Sequence, residues 1–258
     1  AHLAASDDNV LFVLIYLQMV EGLRPDVDLV LQGVGGADLQ PLHFDPDREP
    51  LFFTHHPNWD FPLLDAVPRG LAFRVVRAGA PVPAAAPSRA RLEGEEDPRV
   101  PKDYLTRNLI GHFHYMLGLT HEADGDWLRA AGEFAIAATA SPENDVLFYN
   151  LGLVYARAGL YDRALEAFER SHDINPRHLA SQGRVEAGDR IAELAVERER
   201  IRRLEDRLTA EAGLDGLHGA AYHRALAEQL ERASEPTAAR GHRLLAIEAE
   251  APWPRGPE

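Results

Sequence analysis

A repeat of thirty-four residues constrains this chain more than any other feature of its sequence. The segment 145–178 matches the preceding segment, 111–144, when the two are aligned at that period. The matched positions are Leu117-Gly118 with Leu151-Gly152, Gly125 with Gly159, Trp127 with Tyr161, Ala130 with Ala164, Phe134 with Phe168, and Pro142 with Pro176. Internal similarity at a period of this length is typical of stacked helical hairpins.

The residue types at the matched positions suit pairs of packed helices. Gly118 and Gly152 are small enough to let two helices approach closely, and the aromatic rings of Phe134 and Phe168 fill the remaining space. Because one hairpin cannot bury its own apolar stripe, neighbouring hairpins must stack. The sequence therefore predicts an all-α solenoid of helical hairpins.

Glycine and proline mark the predicted helix ends. Each first helix is predicted to end at Gly125 or Gly159, where a left-handed residue is needed and glycine avoids the Cβ penalty. Each second helix is predicted to stop near Pro142 or Pro176, because proline cannot continue a helix.

These residues resemble the tetratricopeptide repeat family over 111–178. The resemblance implies repeats at 111–144 and 145–178 within a helical domain spanning 102–258. It also implies a concave face built by the first helix of each pair, where apolar anchors would hold a protein or peptide partner. The residues expected on that face are His112, Tyr115, Leu119, Glu122, Val146, Tyr149, Leu153 and Arg157.

After Pro176 the repeat fades into a degenerate helical region, 185–252. A long charged helix is predicted over Val185–Ala212, and a worn third pair over Ala220–Ala233 and Thr237–Ala249. The long helix has an apolar stripe at three-to-four spacing: Ala187, Ile191, Leu194, Ile201, Leu204 and Leu208. One interpretation is a packed terminal helix with a solvated outer face; the other is a short coiled-coil seam for a partner.

Residues 1–79 predict a small α/β layer. The candidate strands are His2–Ala5, Val27–Leu31, Leu51–His55 and Leu71–Val76, with a helix from Asp8 to about Gly22. Strand, helix and strand in close succession predict a right-handed parallel crossover. The apolar run Val10–Val20 is shorter than the about 20 residues of a membrane span, so it predicts a buried helix. A Pro- and Ala-rich linker is predicted over 80–101.

Several runs in this first segment also resemble a known family. They are Asp8-Asn9, Phe12, Tyr16 to Gln18, Val20 to Val27, Leu51 to His56 and Gly70 to Val76. They are similar to the soluble extracytoplasmic part of bacterial membrane glycosyltransferases related to protein O-mannosyltransferases. Val10 and Leu11 stand where that family usually has Asp and Thr. The resemblance implies an extracytoplasmic, periplasmic location and a membrane region before residue 1 that holds the catalytic acidic residue.

Charge and residue types exclude several kinds of site. A net charge of −14 argues against a nucleic-acid partner, because no basic stripe could release counterions from a phosphate backbone. The absence of cysteine excludes disulfides and thiolate metal ligands. Neither His55-His56 nor His112 with His114 has the i, i+4 spacing of a helical zinc site. We therefore expect no metal, no cofactor and no catalytic site.

Two functions remain open at this point. The first is a non-catalytic protein-protein interaction scaffold that uses the concave repeat face. The second is an accessory domain of a membrane glycosyltransferase that aids acceptor recognition. The second function carries the expectation of a periplasmic membrane complex, whereas a free-standing adaptor in the cytoplasm is the alternative. The partner's identity and the oligomeric state stay open.

Overall fold

A computed structural model describes residues 1–5, 8–31, 45–54, 63–80, 91–176 and 187–251. His55, His56 and the end of the Leu51–His55 strand prediction lie outside these residues, as does the start of the long helix predicted from Val185. The chain divides into two compact units. The first unit comprises 1–90 and 119–126, and the second comprises 91–118 and 127–258.

The first unit contains a mixed sheet whose described strands lie in the order β2-β1-β3-β5-β4. The strands are β1 His2–Ala5, β2 Asp28–Leu31, β3 Leu51–Phe53, β4 Leu64–Arg69 and β5 Ala72–Arg77. β1 pairs in parallel with β2 and β3, whereas β5 pairs antiparallel with β3 and β4. Helix α1, Asp8–Met19, connects β1 to β2. The predicted parallel strand–helix–strand crossover is therefore confirmed.

Strand β4 was not predicted. Pro68 lies within it, and proline cannot donate a ladder hydrogen bond, so the sequence argues against a strand. The structure accommodates Pro68 because β4 is at the edge of the described sheet and pairs only with β5 there. The two strands are joined at Gly70, whose φ of 64° favours glycine.

The prediction that the apolar run of α1 is buried is wrong. Leu11 is 2% exposed, but Phe12, Tyr16 and Met19 are 65%, 52% and 79% exposed. The strands β1, β2 and β3 are only three or four residues long, so they can cover one face of α1. The rest of the apolar surface of α1 therefore stays exposed. No helix among the described residues is both long enough and apolar enough to cross a membrane.

The second unit is built from helices, and no strand occurs in the described part of 104–251. The helices are α2 Tyr104–Ala123, α3 Trp127–Ala140, α4 Asp145–Ala158, α5 Tyr161–Ile174, α6 Ala187–Ala212, α7 Gly219–Arg232 and α8 Pro236–Glu250. A small sheet followed by helical hairpins is the predicted fold class, which is confirmed.

The repeat residues have the structural roles that their spacing predicts. Gly125 and Gly159 follow α2 and α4 with φ of 78° and 80°, in the left-handed region. A Cβ on Gly152 would meet the Phe168 ring, so glycine at this position lets the ring of α5 lie directly on the backbone of α4. The same relation holds between Gly118 and Phe134.

Helix α6 connects the repeats to the last two helices through two apolar clusters. Its first turns contribute Ala187, Ile191 and Leu194 to a cluster around Phe168. Further along, Ile201, Leu204 and Leu208 pack with Leu226 and Leu230 of α7. The six residues of the predicted stripe are thus in contact with neighbouring helices, so the packed terminal helix is the interpretation that holds.

Helix α8 approaches the end of α4 at two glycines. A Cβ on Gly241 would meet the carbonyl oxygen of Gly159, and a Cβ on Gly159 would meet the carbonyl oxygen of Thr237. Arg163 of α5 also donates to Glu248 of α8 at 2.6 Å. The degenerate third pair is therefore packed against the second repeat.

Candidate protein-interaction surface

Four residues of the predicted surface lie on α2. His112 is exposed, Tyr115 and Glu122 are partly buried, and Leu119 is buried. The Tyr115 ring lies 5.9 Å from the Phe134 ring, measured between centroids. Leu119 and Glu122 belong to the first unit, whereas His112 and Tyr115 belong to the second. His112 and Tyr115 therefore share a unit with the helices of the second repeat.

The other four residues lie on α4. Arg157 is exposed, Val146 and Leu153 are partly buried, and Tyr149 is 5% exposed. The Tyr149 ring makes a T-shaped contact with Phe168 at 5.4 Å, and the cluster around this contact includes Leu153 and, from α6, Ala187, Ile191 and Leu194. Tyr149 and Leu153, which were expected on the concave face, are therefore packed against α6. The assignment of the eight residues to a partner stays a prediction.

An exposed apolar stripe on α2 was missed by the sequence analysis. Leu105 and Leu109 are 71% and 60% exposed, and with His112 they recur at i, i+4 and i+7 on one helix face. The first repeat was predicted to begin at residue 111, which left Leu105 and Leu109 outside the predicted repeat. Asp103 was the available signal, because its carboxylate accepts from the backbone N–H of Thr106 at 2.8 Å and so starts α2 at Tyr104.

His114, which points away from this stripe on α2, is held between two carboxylates. Its Nδ1 lies 2.6 Å from Glu133 and its Nε2 lies 2.6 Å from Glu95. Burial lowers the pKa of His114, but the hydrogen bonds and charges of Glu133 and Glu95 outweigh burial, and the pKa is raised. Through these contacts His114 ties the segment before α2 to α2 and α3. With both ring nitrogens bonded, the imidazole offers no lone pair to a metal.

A second polar network joins the last helices. His223 and His242 lie with their Nδ1 atoms 2.9 Å apart, and His242 Nε2 lies 3.1 Å from Glu205. Arg198 donates to the other Glu205 oxygen at 3.0 Å and to Asp162 at 2.7 Å. These side chains link α5, α6, α7 and α8. Within the described ranges, no group of three or more histidine, aspartate or glutamate side chains is arranged to hold a metal ion.

Comparison with known proteins connects the second repeat to a family. The model described as tetratricopeptide repeat matches residues 146–178. A protein named Photosystem I assembly protein Ycf3, from Acaryochloris marina (strain MBIC 11017), is 28% identical over 80 residues, covering 30% of this chain and 47% of that protein. The protein of the same name from Rippkaea orientalis (strain PCC 8801 / RF-1) is 31% identical over 67 residues, covering 25% of this chain and 39% of that protein.

One solved structure is also similar. The chain described as MamA MSR-1 C2 is 21% identical and covers 54% of this chain and 76% of its own length, with a TM-score of 0.29. A score this low supports no argument about the fold. The alignments with the Ycf3 proteins span less than half the length of each.

Residues 146–178 thus match the tetratricopeptide repeat model and form α4 and α5, two packed helices of the described helical part. These comparisons give no support to the predicted glycosyltransferase resemblance of the N-terminal segment.

Proposed function

We propose that this chain is a non-catalytic scaffold that binds a protein partner along the exposed face of α2. The observation that carries this proposal is the filled repeat signature of 111–178, whose second unit matches the tetratricopeptide repeat model. Repeat proteins of this architecture present an extended surface built from equivalent helices. The relatives that match are named as assembly proteins, which supports a role in assembling a complex.

The docking surface is defined by what α6 leaves uncovered. Because α6 packs on Tyr149 and Leu153, the partner segment meets α2 rather than the centre of α4. Leu105, Leu109 and Tyr115 are the large groups on this part of α2. Burying one leucine of this kind contributes about 1.5–3 kcal/mol, so these side chains would act as anchors within a larger interface.

The setting of that complex is proposed from the sequence alone. The N-terminal resemblance favours a partner in a membrane complex on the periplasmic side, and a cytoplasmic adaptor is the alternative. The accessory-domain role in a membrane glycosyltransferase stays a prediction of the same kind.

The proposal is tested by purifying the tagged chain with its native partners and comparing surface variants. Leu109→Glu and Tyr115→Ala should each reduce the recovery of the partner by about tenfold, since a buried anchor is lost. Leu128→Glu on α3 is the matched control, because Leu128 is 40% exposed and lies on a second helix. Circular dichroism confirms that each variant is folded. Undiminished partner recovery with both α2 variants would exclude this face as the interface.

A further inference from the structure

A second surface lies beside the packed stripe of the long helix and shares Leu204 with it. A groove of about 890 Å³ runs along α6 and reaches the turn between α7 and α8. Its apolar lining consists of Ala195, Val196, Leu204 and Ala233. Val196 is 74% exposed, although valine is an apolar residue with no role in either buried cluster of α6.

The groove has the length and direction of a helix-binding site. The α6 residues that line it begin at Ala195 and end at Arg207, and they recur every three to four positions along one face. These thirteen residues of helix extend about 20 Å, which is the length of between three and four turns of a partner helix. An amphipathic helix lying alongside α6 would present its i, i+4 and i+7 side chains to this lining.

The charge of the groove selects the partner. Three arginines line it, Arg200, Arg203 and Arg207, against the two glutamates Glu199 and Glu235. Glu199 already accepts from Arg203 at 2.7 Å, and Glu235 accepts from Arg200 at 2.5 Å. The lining is therefore net positive on a chain whose net charge is −14.

Two of these arginines have donors to offer a carboxylate. The bond from Arg203 to Glu199 uses Nε, one of five N–H donors on a guanidinium. Arg207 lies 3.9 Å from Glu211, at the limit of an ion pair. Their side chains are 75% and 66% exposed.

We propose that this groove binds an amphipathic, acidic helix of a partner protein. The apolar side chains of that helix contact Val196 and Leu204, and its flanking carboxylates pair with Arg203 and Arg207. This inference rests on the proposed scaffold function and adds a second docking surface, with defined chemistry, to the α2 face. Electrostatic complementarity of this kind contributes chiefly to specificity and to the association rate.

The test uses a displayed library of random peptides of about 16 residues, long enough for roughly four helical turns. The purified full chain is the bait, and Val196→Glu is kept for the binding measurements that follow. We expect enriched peptides to carry apolar residues at i and i+4 flanked by Asp or Glu. Synthetic copies, measured by fluorescence anisotropy, should lose about tenfold or more in affinity for Val196→Glu and Arg203→Glu, because a desolvated contact is removed in each.

Arg202→Glu provides the matched control. Arg202 bonds the same Glu199 carboxylate and undergoes the same change of charge, but it does not line the groove. Affinity for Arg202→Glu should fall by less than about threefold, which is the size of a screened surface effect. Equal losses of affinity for Arg202→Glu and Arg203→Glu would overturn the proposal, since they would show that the acidic peptides are attracted to the charge of α6 as a whole and not to the groove.

The remaining outcomes separate this proposal from the scaffold function. One outcome is a set of peptides that bind the wild-type chain and Val196→Glu equally but lose affinity for Leu109→Glu. This result would place binding on α2, and it would overturn the groove proposal but not the scaffold function. No enrichment of acidic amphipathic peptides overturns the groove proposal and leaves the native-partner experiment to decide the scaffold function. Displacement of the selected peptides by single-stranded RNA, with loss of RNA binding in Arg203→Glu, would assign the groove to a different class of ligand.

Discussion

The second repeat, α4 and α5, and the C-terminal helices, α6 to α8, form packed helical structure by different chemistry. In the repeat, the Phe168 ring lies on Gly152, and Tyr149 packs against Phe168 from the side. In the C-terminal helices, the buried cluster is aliphatic, with Leu226 and Leu230 fully buried. A row of arginine, glutamate and histidine side chains runs beside that cluster.

The difference indicates what each region is sensitive to. A ring packed on a glycine depends on shape, since neither residue can change volume without a void or a clash. A polar network that is partly buried depends on charge, because its members are costly to bury unless they are paired. We therefore expect the repeat to respond mainly to changes in side-chain volume and the C-terminal helices to respond also to pH.

The largest expected effect tests the shape-dependent region. Phe168→Ala should lower the free energy of unfolding by about 3–5 kcal/mol, because the ring is buried and its removal leaves a cavity over Gly152. Phe148→Ala on α4 is the control, since that ring is only partly buried with Arg170 above it. Denaturant unfolding followed by circular dichroism measures both. A loss for Phe148→Ala as large as for Phe168→Ala would remove the basis for the comparison.

The next effect tests the contact between the two regions. Gly241→Ala should cost about 1–3 kcal/mol of unfolding free energy, because its Cβ would meet the backbone of Gly159 and force α8 away from α4. Gly216→Ala has open space around its Cβ and should change stability by less than about 0.5 kcal/mol. If the two variants are equally stable in urea, the close approach of the glycines is not required.

A smaller effect concerns the ion pair that joins α5 to α8. Arg163 donates to both oxygens of Glu248 at 2.6 Å, and the two side chains are 31% and 25% exposed. A double-mutant cycle with Arg163→Gln and Glu248→Gln should give a coupling energy of about 1 kcal/mol. The same cycle for the exposed pair Arg202 and Asp206 should give about 0.3–0.5 kcal/mol or less. Equal coupling in the two pairs would indicate that partial burial adds nothing.

The smallest effect is a pH dependence of opposite sign at His114 of α2 and at His223 of α7. Folding raises the pKa of His114, so the stabilisation is fully present below the unfolded value of about 6.5 and is lost as the pH rises through the folded pKa. Burial, together with the charge of His242, lowers the pKa of His223 against the opposing effect of Glu205. Stability from His223 is therefore lost as the pH falls below about 6.5.

The two histidines are compared by measuring unfolding free energies of His114→Gln and His223→Gln at acidic and alkaline pH. Relative to wild type, His114→Gln should be more destabilising at the acidic pH, and His223→Gln more destabilising at the alkaline pH. The same sign for both variants would contradict the separate roles of the two networks.

Much of the helical part follows from local sequence rules. The positions of Gly125 and Gly159 predict the ends of α2 and α4, and the period of thirty-four residues predicts which helices pair. The stripe from Ala187 to Leu208 predicts the buried face of α6. These features are local, because each depends on backbone conformation or on the periodicity of a single helix.

Other features depend on which elements meet in three dimensions. Tyr149 is a surface residue by its repeat position, yet α6 covers it; Phe12 and Tyr16 are apolar, yet the sheet leaves them exposed. Pro68 argues against a strand until β4 is found at the edge of the described sheet. The groove beside Val196 exists only because the turn of α7 and α8 lies against α6. Periodicity determined which faces of the helices are apolar, and the tertiary structure decided which of those faces are covered, because burial depends on contacts between residues far apart in the chain.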